Sequence, residues 1–441
     1  MKQLLTSFFL LITFVAFAQP VNVKLIQANG NWQMTVNGEP FYVRGAGGHV
    51  HQDKLIEIGG NTIRTWGTDN AKEILDEAHR NGLKVMMGLW VQHERHGFDY
   101  DDPVKVKAQL AGFRQAVLEL KDHPALLIWG VGNEVDLFYK NTNVWYAVED
   151  IAKMIKEVDP NHPTCTVTAG FDPLEAALIM ERCPSIDIYG INTYGDIGNV
   201  KEGIRKAGWK GPYMITEWGP NGHWEVQKNK ANVPIEQSSH EKAESYQERY
   251  EKYISGDSEM CIGSFVFLWG QKQETTSTWY GLFSQDGLSS EAIDRLHMIW
   301  KNNKPANHAP ILESSRLNGL SKFDTPTVVS GDKCTANIQV KDLDGDRLRI
   351  KCYVIPESTD IKSGGDAELA PQPVTGLGMR ERNGEVTFYA PGNTGNYRLF
   401  IFAYDGKGTY AYENIPFVVT PRSKDAKPAR PISFKRYEMN P

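Results

Sequence analysis

The sequence predicts an α/β fold, a TIM (β/α)8 barrel, followed by an all-β immunoglobulin-like sandwich, and three observations carry this. Eight short apolar runs between Phe41 and Gly270 alternate with helical stretches over about 260 residues, the size and rhythm of a closed parallel barrel. Two of those runs, the fourth and the seventh, end in a glutamate. Beyond Lys304 the hydrophobic period falls to two, the signature of half-buried strands separated by turns. An open doubly wound sheet would leave the two glutamates far apart along one edge, whereas a barrel brings them across one mouth.

Taken in order, residues 1–18 read as a cleavable export signal. Lys2 precedes an uncharged apolar run that ends in Ala16-Phe17-Ala18, too short to span a bilayer. A secreted or periplasmic protein is therefore expected. Residues 23–27 and 32–36 flank Asn29-Gly30, a hairpin dipeptide, and form a ribbon closing the bottom of the barrel. The barrel domain is read as 19–303, with strands at 41–46, 61–66, 84–89, 125–131, 164–169, 186–192, 212–218 and 263–270. Helices are marked by Asp69 or Asn70 before a run ending at Arg80, Asp102-Pro103, the amphipathic run 141–158, Pro173, the run 200–207, Ser238 with Glu241, and Ser290-Glu291. Residues 304–310 (KPANHAP) form a linker, 311–420 the sandwich and 421–441 a tail.

A net charge of -6 gives no basic footprint for nucleic acid, and no later segment is apolar for long enough to cross a membrane. The expected partner is an oligo- or polysaccharide, bound by a monomer without a cofactor. The 11 Trp exceed what a core alone calls for and suit stacking on sugar rings. Five cysteines at irregular spacing make no disulfide framework, so free thiols are expected, although Cys334 and Cys352 could face each other across a hairpin turning near Leu343.

The chemistry rests on Asn133-Glu134, after the run ending in Trp129-Gly130-Val131-Gly132, and on Glu217, after Met214-Ile215-Thr216. One such glutamate is most simply an exposed strand end or an ion-pair partner. Two, each delivered to the mouth by its own strand, match retaining glycoside hydrolysis, with Glu134 as acid/base and Glu217 as nucleophile. Arg64, a cation inside a strand, needs an anion, and Glu217 is the one expected. Trp66 follows at the same strand end. Asn133 is placed to donate to a sugar 2-hydroxyl, Tyr194 to the nucleophile, and Trp269 to floor the site. Trp224 and Trp279 sit in long loops expected to shape a cleft. His93 and His96 lack the further fixed ligand a metal site needs, so His93 is assigned to substrate and no metal is expected. Asp342-Leu343-Asp344-Gly345-Asp346 lacks the closing glutamate of a calcium loop and reads as a hairpin turn.

With Arg64, Asn133-Glu134, Tyr194, Glu217 and Trp269 in these positions, the stretch from Phe41 to about Trp300 resembles glycoside hydrolase clan A. Within the clan, a barrel followed by one immunoglobulin-like domain most resembles the bacterial endo-β-1,3-glucanases of glycoside hydrolase family 158. That likeness implies cleavage of laminarin-type β-glucan. The family 2 β-galactosidases and β-mannosidases carry domains ahead of the barrel, so the resemblance weighs against exo action. A β-glucanosyltransferase, another clan A β-glycosidase acting on mannan or galactan, and a non-catalytic glycan-binding protein are the alternatives. The C-terminal domain, without an aromatic strip, is expected to pack or to space.

Overall fold

The computed structural model describes residues 21–423; the expected export signal and most of the expected tail lie outside them. Three short antiparallel strands come first, β1 (Val23–Ala28), β2 (Asn31–Val36) and β3 (Glu39–Phe41), turning at Asn29-Gly30 as the dipeptide requires. Eight parallel strands then close into a barrel: β4 (Val43–Gly47), β5 (Thr62–Arg64), β6 (Lys84–Leu89), β7 (Leu126–Val131), β8 (Thr164–Ala169), β9 (Ile188–Asn192), β10 (Tyr213–Trp218) and β11 (Cys261–Val266). These are fully buried runs, as strands covered on both faces must be.

The helices between them are α1 (Gln52–Glu57), α2 (Ala71–Arg80), α3 (Pro103–Leu120), α4 (Val144–Val158), α5 (Pro173–Arg182), α6 (Val200–Ala207), α7 (Ser239–Arg249) and α8 (Glu291–Lys301). Three of their starts are capped by side chains, whereas the expected caps Asn70 and Ser290 make no side-chain cap bond. The Asp102 carboxylate accepts from the N–H groups of Val104 and Lys105 with Pro103 at the first turn, and Asp172 accepts from Leu174 ahead of Pro173. Ser238 and Glu241 cap each other reciprocally at α7. α1 was not expected: at six residues, with only Gln52 and Leu55 buried, it is too short to show a helical period.

The ribbon closes the floor of the barrel. Val21, Val23 and Met34 pack with Val43, Met86, Leu127, Ile128, Cys165, Met214 and Phe265 in one buried cluster. The catalytic candidates therefore lie at the other end of the strands, where the polar residues gather.

Residues 304–310 lead into two four-stranded sheets. One runs β12-β14-β17-β16 and the other β13-β19-β18-β15, with β12 (Ile311–Leu317), β13 (Thr327–Val329), β14 (Lys333–Lys341), β15 (Arg349–Pro356), β16 (Arg380–Arg382), β17 (Glu385–Tyr389), β18 (Gly395–Tyr404) and β19 (Tyr410–Thr420). The hairpin expected near Leu343 is corrected here. β14 and β15 lie in different sheets, so 342–346 crosses between sheets, and Cys334 and Cys352 stay free thiols. Its three carboxylates, Asp342, Asp344 and Asp346, lie within 4.8 Å of one another, with Lys407 on Asp346 (2.6 Å) and His308 on Asp344 (3.1 Å).

The sandwich is joined to the barrel by buried polar groups. Glu236, on the loop before α7, accepts from Lys242 (2.6 Å), Thr276 (2.6 Å), Thr278 (2.8 Å) and, from the sandwich, Asn414. Arg398 on β18 donates to Asn414 Oδ1 and to the barrel carbonyl of Pro234, both at 2.8 Å, and grips Glu357 with two further donors. Such a fully partnered charge cluster offsets the cost of its own desolvation and fixes one geometry. Among the described residues no helix is long and apolar enough to cross a membrane.

Candidate active site

Beyond Val131 the chain turns through Gly132 (φ 80°) and Glu134 itself sits in the left-handed region (φ 49°), a conformation costing on the order of 1 kcal/mol for a residue with a side chain. Backbone bonds hold the turn: Gly132 N–H donates to Leu89 O (3.0 Å) and Glu134 N–H to Val167 O (2.9 Å). On β10 an irregularity in register against β9, between Ile215 and Glu217, re-aims Glu217 at the mouth. Both carboxyl groups line one cavity of about 280 Å³, together with Trp66, Trp90, Asn133, Tyr194, Trp224 and Phe267.

The two carboxyls are held in opposite ways. Glu217 Oε1 accepts from Arg64 Nη1 (3.1 Å) and Trp66 Nε1 (2.8 Å), and Oε2 from the Tyr194 hydroxyl (3.0 Å). Three donors, one of them a cation only 2% exposed, fix the carboxylate in place. Glu134 has one donor, Asn192 Nδ2 at 2.8 Å. Burial, and then the charge of Glu217, push its pKa up to about 7. A proton held on one acid beside a second held as an anion is the division of labour that acid-assisted displacement needs.

Arg64 ties the pair together. Its Nη1 donates to Thr216 O (2.6 Å) and Asn192 Oδ1 (3.3 Å), and its Nη2 to Asn133 Oδ1 (2.6 Å), which also accepts from Asn192 Nδ2 (3.1 Å). With Oδ1 engaged twice, Asn133 has its Nδ2 donors to offer a sugar hydroxyl. Glu134 and Glu217 are thus linked through one continuous Asn192–Arg64 network.

Of the expected site residues, Arg64, Trp66, Asn133, Glu134, Tyr194 and Glu217 come together, and Trp224, 59% exposed, stands at the rim against Tyr194. Three do not line the cavity and are corrected. After Val266 the chain leaves the strand; Trp269 N–H bonds Gly47 O, and its ring turns away to pack on Phe283, 1% exposed. Phe267, and not Trp269, lines the cavity. Trp279 is buried in a cluster with Tyr194, Phe267 and Tyr280, its Nε1 on Asn221 O (2.9 Å). His93 lies buried beneath Trp90, stacked at 4.8 Å, and accepts from Arg95 at Nδ1 (3.0 Å). Burial, then the Arg95 charge, lower its pKa to about 4, so it stays neutral.

Trp90, Asn192, Lys272 and Glu274 were missed. Trp90 and Asn192 sit at strand ends, the signal already used for Glu134; Lys272 and Glu274 lie in the loop after β11 and pair with each other at 2.9 Å. Gly364 and Gly365, which also line the cavity, come from the sandwich, so the domain expected only to pack or space contributes a wall.

Comparison with known proteins agrees with this architecture. Residues 73–255 match the family model described as "Glycosyl hydrolases family 2, TIM barrel domain". Over 199 residues the chain is 24% identical to a β-glucuronidase of Felis catus, covering 40% of this chain and 28% of that one. Over 167 residues it is 26% identical to a β-galactosidase of Vibrio vulnificus, covering 33% and 15%. The chain therefore spans about a quarter of the length of the first of these curated relatives. Among solved structures, β-glucuronidases of Faecalibacterium prausnitzii (TM-score 0.51, 19% identity, 64% of this chain and 52% of that one) and Dictyoglomus thermophilum (0.51, 16%, 64% and 54%) share the barrel fold. The match is to family 2, through β-glucuronidases and β-galactosidases. It does not support the family 158 endo-glucanase resemblance.

Proposed function

We propose that the protein is a retaining β-glycosidase that removes a neutral hexose from a β-linked glycan, outside the cytoplasm as its N-terminal sequence suggests. Glu217 attacks the anomeric carbon, while Glu134 gives its proton to the leaving oxygen. Water then enters as Glu134 takes a proton back and the glycosyl ester on Glu217 breaks. Asn133 Nδ2 meets the 2-hydroxyl, where a hydrogen bond strengthens as positive charge grows on the ring. Trp66, Trp90 and Phe267 bound the ring's apolar faces.

The observation that carries this reading is the pairing of a triply donated Glu217 with a burial-protonated Glu134 in one cavity. Charge favours a neutral sugar. Among the described lining residues Lys272 is matched by Glu274, and Arg64, just beneath the cavity, by Glu217, which leaves no unpaired cation for the carboxylate of a uronic acid.

A panel of 4-nitrophenyl β-glucoside, β-galactoside, β-mannoside and β-glucuronide tests the proposal, with proton NMR of the first-formed anomer. Turnover of a neutral hexoside with the β-anomer appearing first is expected. An α-anomer as first product, preference for the glucuronide, or no turnover of any of the four overturns it.

A further inference from the structure

The connection from β15 to β16, residues 357–379, leaves the sandwich and crosses the barrel mouth, and its contacts are built rather than incidental. Arg95, after β6, donates to Asp366 from both Nη1 (2.7 Å) and Nη2 (3.1 Å), and His96 Nε2 lies 3.1 Å from the same carboxylate. On the opposite side Lys272, after β11, donates to Gly365 O (2.6 Å), and Thr275 N–H to Glu368 Oε2 (2.7 Å). At its root Glu357 is gripped by Arg398, which also holds the barrel at Pro234.

The crest demands its residues. Gly364 and Gly365 both have positive φ (63° and 71°). A Cβ on Gly364 would stand 2.6 Å from Leu137 and 2.8 Å from the Arg95 guanidinium, and one on Gly365 2.9 Å from Lys272 Nζ. Positive φ at both positions favours glycine, and these two line the same cavity as Glu134 and Glu217.

We propose that this strap is the specificity-determining wall of the sugar site and that Asp366 is the positioning residue that latches it. It spans from the β11 loop to the loops after β6 and β7, closing the mouth on that side. The site then admits the end of a glycan and excludes an internal stretch, so the sandwich, and not the barrel alone, sets where a chain is cut. The inference rests on Glu134 and Glu217 acting as a glycosidase pair.

The test uses the full chain, Asp366→Ala, and a variant with 361–368 replaced by Gly-Ser. The probes are a β-1,3-linked glucose hexamer and 4-nitrophenyl β-glucoside. Wild type is expected to release glucose alone from the hexamer. Both variants are expected to produce di- and trisaccharides early and to raise the hexamer-to-aryl-glucoside ratio of kcat/KM at least tenfold. Calorimetric titration reads the same wall without turnover, as at least tenfold tighter hexamer binding by the variants. Failure of wild type to turn over either glucose probe counts against a glucose site and not against the glycosidase reading, and leaves the titration to judge the strap. An unchanged product pattern and hexamer affinity in folded variants, or a parallel loss on both probes, overturns the strap's role.

Discussion

At the floor of the barrel Val43, Met86, Leu127, Ile128, Cys165, Ile188, Met214 and Ile262 pack on the ribbon with almost no exposure. At the mouth, one or two turns of side chains further along the same strands, Arg64, Asn133, Asn192, Thr216 and Glu217 are just as buried yet polar or charged. Burial at the floor stabilises by apolar transfer, roughly 1.5–3 kcal/mol for each large side chain. Burial at the mouth has the opposite sign unless every group is partnered, and it is used to set protonation states. The difference teaches that substitutions at the two ends should separate stability from turnover, in opposite directions.

The largest expected effect breaks the mouth alone. Glu217→Ala removes the nucleophile and should lower kcat by on the order of 10⁴-fold while the thermal midpoint stays the same or rises. Taking that carboxylate from Arg64 leaves a buried cation, but Asn133, Asn192 and Thr216 still accept from the guanidinium. Residual turnover near wild type would refute its role.

Glu134→Gln should lose roughly 10²–10⁴-fold on a substrate with a sugar leaving group and far less on a nitrophenyl glycoside, which needs no proton. Its pKa of about 7 has a direct consequence for pH. The acid form exists below about 7, so wild-type kcat/KM on the oligosaccharide should fall as pH rises through that value. In Glu134→Gln that alkaline limb should vanish; a limb unchanged in the variant assigns the titration to another group.

The floor gives the converse. Leu127→Ala deletes atoms from a fully buried side chain and should destabilise by about 2–5 kcal/mol, read by denaturant unfolding, with kcat at low temperature nearly unchanged. A large fall in kcat at retained stability would show that the two ends are coupled.

How much of this could be read from sequence follows from the range of the forces involved. Strand ends and helix caps are local, so Glu134, Glu217, Asp102 and Ser238 stand out by period and punctuation. Arg64 was legible because a cation in an apolar run must find an anion. Trp269 was misplaced because the alternation that predicts facing ends with the strand at Val266, and the next residues follow bonds to Gly47 and Tyr280 from distant parts of the chain. Gly364 and Gly365 could not have been found. Their use depends on Lys272, 93 positions from Gly365, and on Arg95, 271 positions from the adjoining Asp366. Short β13 and β16 lacked enough residues to show a period, and in β12 a register shift between Leu312 and Ser314 breaks the alternation.

The last expected effect, read as a dependence on pH, sharpens the comparison inside the mouth. Asp136 is half-buried, its two oxygens 3.2 and 3.0 Å from the single N–H of Ala169, and desolvation, then the neighbouring Glu134, push its pKa up to about 8. Its unfolded value is near 3.9. Between those two values the unfolded chain loses the proton and the folded chain keeps it, so the wild type loses stability as pH rises from about 4 to about 8. Asn cannot ionise and still accepts from Ala169. Asp136→Asn should therefore gain on wild type in thermal midpoint steadily across that window and level off above it. A midpoint difference independent of pH would mean that Asp136 ionises in the folded protein as easily as in water, and that burial at the mouth does not control protonation there.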